Sequence, residues 1–273
     1  MGRRREFDGK VVFLTGAAGG MGTALARRFA AAGSKLVLTD LDAEGLDGLA
    51  ARLREDGAEC LALPLDVTID AACHRAVAGA VDHFGRLDVL INNAGIGQRS
   101  ALAKTDSQVY RRVMDVNFFG SLYCTQAALP HLIETKGNIV VISSIAGFAP
   151  LLGRTGYSAS KHALHGLFDS LRTEVRPAGV DVTIVCPGFT ATGMDRHALG
   201  EHGQLTDHPQ STAGRVADPR DVAEAIFKAA VRGRRLLVLS TVGRLTRLMT
   251  KLCPGTYERL MARSLQAELA GRE

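Results

Sequence analysis

The chain has 273 residues, 46% of them hydrophobic and 5% aromatic, with 33 Lys and Arg against 28 Asp and Glu for a formal charge of +5. That apolar content suffices for a sizeable core, while no run reaches the ~18 apolar residues of a membrane span and no secretory pattern opens the chain, so a soluble, cytoplasmic protein is expected. The basic excess, gathered in residues 3–5 and 232–251, lacks interleaved aromatics or a recognition motif, which argues for a solvated surface and against nucleic acid as a partner. Cys60, Cys73, Cys124, Cys186 and Cys253 are scattered singly and odd in number. Neither a disulfide framework nor a metal site is expected, and the thiols read as reduced core residues.

In chain order, Lys10-Val-Val-Phe-Leu-Thr15 is a run of β-formers, followed by Gly16-Ala-Ala-Gly-Gly-Met-Gly22 and then by helical periodicity. Strand, glycine turn and helix in that order bring unpaired backbone N–H groups and the positive helix end against a pyrophosphate, with Gly16, Gly20 and Gly22 allowing close approach. A second strand, Lys35-Leu-Val-Leu-Thr39, ends in Asp40, twenty residues after Gly20. An acid there accepts from a ribose diol and repels a 2′-phosphate, so NAD(H) is favoured over NADP(H). Leu61-Ala-Leu-Pro-Leu65 ends in Asp66-Val67, placed for an adenine edge, and Leu87-Asp-Val-Leu-Ile91 runs into Asn92-Asn-Ala-Gly95. In open parallel sheets the ligand crevice lies at such strand ends, although Asn93 serves equally well as turn support.

Residues 108–129 read as helical, and Ser144 follows a further apolar strand. Thirteen residues on comes Tyr157-Ser-Ala-Ser-Lys161. Residues four apart on a helix share a face, so the Lys161 ammonium is expected beside the Tyr157 phenol, where it favours the phenolate. Bringing a phenol from pH ~10 toward neutrality takes roughly 4 kcal/mol, which a desolvated cation and an oxidised nicotinamide together can supply.

Taken together, Thr15-Gly-x-x-x-Gly-x-Gly22, Asp66-Val67, Asn92-Asn-Ala-Gly95, Asn117, Ser144, Tyr157-x-x-x-Lys161 and Pro187-Gly188 resemble the short-chain dehydrogenase/reductase family across about the first 240 residues. The resemblance implies a catalytic tetrad of Asn117, Ser144, Tyr157 and Lys161, with Asn117 organising water that connects Lys161 to solvent. It places Thr192 near the nicotinamide carboxamide. The candidate cofactor-binding set is Gly16, Gly20, Met21, Gly22, Asp40, Asp66, Val67, Asn93, Ala94, Gly95, Tyr157, Lys161, Pro187, Gly188, Thr190 and Thr192. The fold expected is α/β: one Rossmann-like, doubly wound parallel sheet over residues 1–273, with a C-terminal helical extension at 242–273. A homodimer or homotetramer is implied by the same resemblance.

Substrate specificity is expected in residues 96–100, 145–154 and a glycine-containing lid at 189–215. Ile145, Phe148, Leu151, Leu152, Phe189 and Met194 offer an apolar pocket, with Gln98, Arg154, His197 and His202 as polar contacts. The function expected is NAD(H)-dependent interconversion of a nonpolar secondary alcohol and its ketone. A 3-oxoacyl thioester reductase and an NAD(H)-sensing binding protein are the alternatives. After the last strand, Arg235-Leu-Leu-Val-Leu239, the tail carries Leu245, Leu248, Met249 and Leu252 at helical spacing, a Pro254-Gly255 break, then Tyr257, Leu260, Met261, Ser264 and Leu265. Packing over the cleft or on another subunit is the preferred reading of these faces, with peripheral membrane contact as the alternative.

Overall fold

The computed structural model describes residues 6–206 and 216–269. Its strands and helices alternate as β1 (Val11–Thr15), α1 (Gly20–Ala30), β2 (Lys35–Asp40), α2 (Ala43–Glu55), β3 (Cys60–Pro64), α3 (Asp70–Phe84) and β4 (Val89–Asn92). The second half continues with α4 (Ser107–Met114), α5 (Gly120–Thr135), β5 (Asn138–Ile142), α6 (Thr155–Val175), β6 (Asp181–Cys186), α7 (Pro219–Val231) and β7 (Leu236–Val238). Two tail helices follow, α8 (Thr241–Leu252) and α9 (Pro254–Leu269).

All seven strands pair in parallel, in the order β3-β2-β1-β4-β5-β6-β7. Parallel strands need crossovers, and the helices that supply them cover both faces. The two-residue period of β1 shows how each face is filled: Val12 and Leu14 join the core under α1, α2 and α7, while Val11 and Phe13 join the core under α3, α5 and α6. Strand order reverses between β1 and β4, and the crevice at their carboxyl ends is where this architecture binds ligands.

The expected helix at 108–129 is present but not uniform. Between α4 and α5 the chain makes a wider π turn over Asp115–Phe119, a local rearrangement that changes which side chains face inward. Cys60, Cys73, Cys124 and Cys186 are buried as expected, whereas Cys253 is exposed between the two tail helices. Cys73 and Cys124 are not isolated, because their thiols hydrogen-bond between α3 and α5. Residues 3–5, residues 207–215 of the expected lid, and the side chain of Leu265 lie outside the described part.

Candidate active site

The turn from β1 to α1 requires its glycines. Gly16 has φ +66°, and a Cβ there would lie 2.9 Å from the Ala94 Cα. A Cβ on Gly20 would lie 2.8 Å from the Thr192 carbonyl oxygen, and one on Gly22 would strike the Gly16 carbonyl. No side chain caps the start of α1, and its first turn, which includes Met21, holds no acid. Its free N–H groups and positive end therefore form a cradle for a pyrophosphate.

Asp40 is locked beside this turn: Oδ2 accepts from the Ala18 N–H at 2.9 Å and Oδ1 from the Asp42 N–H at 3.1 Å. It remains partly exposed, so the carboxylate can still accept from a ribose diol. Asp66 forms its own turn, accepting from the Thr68 N–H at 2.9 Å and the Thr68 hydroxyl at 2.7 Å. Val67 is buried close against Gly120. Thr15 Oγ1 accepts from the N–H groups of Asn93 and Ala94, each at 3.0 Å, and the Asn93 amide donates to the carbonyls of Thr15 at 3.0 Å and Gly16 at 2.9 Å. Asn93 is thus a brace between β1 and β4, the turn-support reading of that residue. Beyond β6, the Pro187-Gly188 segment passes Ser240, Thr190 pairs with Ala217, and Thr192 presses its carbonyl on Gly20. These residues fit a dinucleotide, since the glycines let the turn pack closely on Ala94 and Thr192 while the uncapped start of α1 keeps its N–H groups for a phosphate.

The tetrad residues come from three places in the chain, the π turn, the end of β5 and α6, and converge. Ser144 leaves β5 in extended conformation, caps the short turn Ile145–Gly147 and hydrogen-bonds the Tyr157 phenol. Lys161 is buried, donates to the Ile142 carbonyl at 2.9 Å and stands 5.7 Å from the centre of the Tyr157 ring. A Cβ on Gly95 would lie 3.1 Å from Asn117 Oδ1 and 3.6 Å from Lys161 Nζ, which places that loop against both groups. Asn117, in the π turn, is fully buried. Its Oδ1 accepts from the Ile96 N–H at 2.8 Å, and its Nδ2 donates to the Ile96 carbonyl at 3.0 Å and to Ser160 Oγ at 2.9 Å.

Burial is the largest influence on the titration of both Tyr157 and Lys161. Burial pushes the Tyr157 phenol above its ordinary pKa, opposed by the Ser144 hydrogen bond and the charge of Arg154. Burial also pulls the Lys161 ammonium down to about 8. The Lys161 ammonium is aimed at the Ile142 carbonyl and stands over the Tyr157 ring. The Asn117 amide ties Ile96 to Ser160.

Several expected substrate contacts lie elsewhere. Gln98 is buried as a brace, donating to Ser100 and accepting from the Gly156 N–H at 3.1 Å at the start of α6. His202 is exposed and pairs with Asp106 at 3.1 Å, and His197 is also exposed. Arg154 is buried, donates to the Leu152 carbonyl at 3.1 Å and acts on Tyr157 through its charge. Ile145, Phe148, Leu151, Leu152 and Phe189 are half-buried around the Ser144 to Tyr157 segment, while Met194 is exposed.

One cluster escaped sequence reasoning. His165 Nε2 lies 3.0 Å from Ser143 Oγ and 3.6 Å from Cys186 Sγ, directly beneath Gly147. Burial pulls this imidazole down to about 4 and pushes the Cys186 thiol up to about 12. The signal was available, since residues 157, 161 and 165 are spaced by four and share one helix face.

The sequence profile described as short chain dehydrogenase matches residues 10–202. The chain is 38% identical over 266 residues to dehydrogenase/reductase SDR family member 7B of Bos taurus, covering 94% of this chain and 82% of that protein. Over 214 residues it is 39% identical to dehydrogenase/reductase SDR family member 7 of Homo sapiens, covering 75% and 62%. A short-chain dehydrogenase/reductase from Burkholderia phymatum, solved in complex with NAD, superposes with a TM-score of 0.79 at 28% identity, covering 98% of each chain. A short-chain dehydrogenase from Streptomyces avermitilis gives 0.78 at 30% identity, covering 95% of this chain and 98% of that one.

Proposed function

The chain belongs to the short-chain dehydrogenase/reductase family, and from that premise we propose that it is an NAD(H)-dependent oxidoreductase that interconverts a nonpolar secondary alcohol and its ketone. The observation that carries the reading is the convergence of Ser144, Tyr157 and Lys161 at the same strand ends as the glycine cradle. Gly16, Gly20, Met21 and Gly22 would hold the pyrophosphate, Asp40 the adenosine ribose, and Lys161 with the 187–192 segment the nicotinamide end. Bound there, the cofactor supplies the hydride donor or acceptor.

The chain's own residues supply the proton. Tyr157 gives it to the ketone oxygen or takes it from the alcohol, while the single O–H of Ser144, turned from the phenol to the substrate, donates a second hydrogen bond to the same oxygen. A phenol is protonated at neutral pH, the state that ketone reduction starts from, and burial pushes this one further in the same direction. Lys161, below a partly desolvated phenol, adds the positive charge that stabilises the phenolate left after transfer. Half-buried Ile145, Phe148, Leu151 and Leu152 favour an apolar substrate.

Asp40 at the cradle weighs against NADPH, and so against the 3-oxoacyl thioester reading. A sensor that only binds the cofactor would not need the assembled proton-transfer group. A cytoplasmic enzyme of two or four copies belongs to the same proposal. A panel of alcohols and ketones with NAD(H) and NADP(H), followed at the reduced-nicotinamide absorbance, tests it. Turnover with NAD(H) is expected; tight NADH binding with no turnover on any of them would favour the sensor.

A further inference from the structure

The tail helix α8 carries three parallel stripes at the same spacing, each shifted by one residue. Gly243 and Thr246 are buried, Arg244, Arg247 and Lys251 are exposed, and Leu245, Leu248 and Leu252 are exposed by 56%, 54% and 73%. The expected packing of this leucine face over the cleft is therefore not what the fold does. The inner stripe makes that contact: a Cβ on Gly243 would lie 3.0 Å from Ile145 Cδ1, next to Ser144. α9 braces the same region, with the Tyr257 hydroxyl donating to the Pro150 carbonyl at 3.1 Å and the Leu152 N–H reaching Met261 Sδ at 3.2 Å.

We propose that the outward face of α8 docks on an anionic lipid surface, leucines in the acyl boundary and the basic stripe on the headgroups. Three large apolar side chains in one line beside three cations form an interfacial helix. Charge selects the occupant. Residues 232–263 hold eight Arg and Lys and one acid, Glu258, so a second copy meeting this face to face would bring cation against cation, whereas an anionic surface neutralises them. Among the described residues no helix is long and apolar enough to cross a membrane, which makes the contact peripheral. Because the inner stripe of α8 touches Ile145, docking sets the Ser144 to Tyr157 region beside the bilayer. On the proposed reaction, the substrate is then an apolar alcohol or ketone drawn from it.

The full chain is sedimented with phosphatidylcholine vesicles, with and without phosphatidylserine, at low and high salt. Binding to the anionic vesicles is expected, with salt weakening it and with Leu248→Asp plus Leu252→Asp lowering it at least about tenfold. Replacing Arg244, Arg247 and Lys251 by Ser should weaken it about fivefold per charge removed. An NADH fluorescence titration of each variant, unchanged from the parent, shows that the fold is intact. Negligible sedimentation with either vesicle, equal binding by the leucine variant, or a dimer in solution that the leucine variant dissociates would each overturn the proposal. Docking without turnover of any alcohol would leave the surface standing and remove the reaction.

Discussion

Lys161 and Tyr157 share one face of α6, with the ammonium 5.7 Å from the ring centre, yet the ammonium is bonded to the Ile142 carbonyl rather than to the phenol. The cation whose charge lowers the phenol's pKa is Arg154. Replacing Tyr157 by Phe deletes only the transferable proton, so kcat should fall at least about 100-fold while NADH affinity stays within about twofold. Steady-state kinetics with a fluorescence titration checks this, and retained turnover would reject Tyr157 as the acid.

The depressed Lys161 makes a pH prediction. Its charge is present below about 8 and lost above it. Ketone reduction needs that charge to stabilise the phenolate, so kcat/KM for reduction should be level near neutrality and fall above about pH 8. A profile level to pH 10 would separate the ammonium from the chemistry.

Asp40→Ala removes the carboxylate fixed at the glycine turn. NADH should bind about 10- to 100-fold more weakly, the loss expected for charge-assisted hydrogen bonds, with NADPH unchanged or improved. Titration with both cofactors decides; an unchanged preference would unseat Asp40 as the selector.

Asn117→Ala strips the Ile96 N–H and carbonyl of their side-chain partner inside the fold. Stability should drop by about 2–4 kcal/mol, together with activity, because buried groups are left unsatisfied. Urea unfolding measures it. A residue that only ordered water would lose activity at unchanged stability.

His165 sets an acid limit. Its folded pKa of about 4 lies below the unfolded value near 6.5, so the unfolded state binds the extra proton first. Stability attributable to this group is full above pH ~6.5 and declines as pH falls toward 4, by about 3 kcal/mol in all. His165→Gln should flatten that part of the stability profile, and an unaltered slope would assign it to other groups.

Much of this protein is legible along the chain because its signals are local. The glycine turn, Asp40 at a strand end and the four-residue step from Tyr157 to Lys161 each follow from the geometry of one element and its neighbour, and the alternation of strand and helix yields the parallel sheet. What only the tertiary structure decided depends on partners far away in sequence. Asn93 and Gln98 became braces because β1 and α6 bring backbone groups to them across 78 and 58 residues. Asn117 meets Ile96 from the π turn, 21 residues further along the chain. The Tyr157 phenol is pushed up because the core around it buries it more strongly than Ser144 and Arg154 oppose. The leucines of α8 face outward because Gly243 and Thr246 take the buried side of that helix, Gly243 lying close against Ile145. Spacing defines which residues share a face, and packing decides what that face meets.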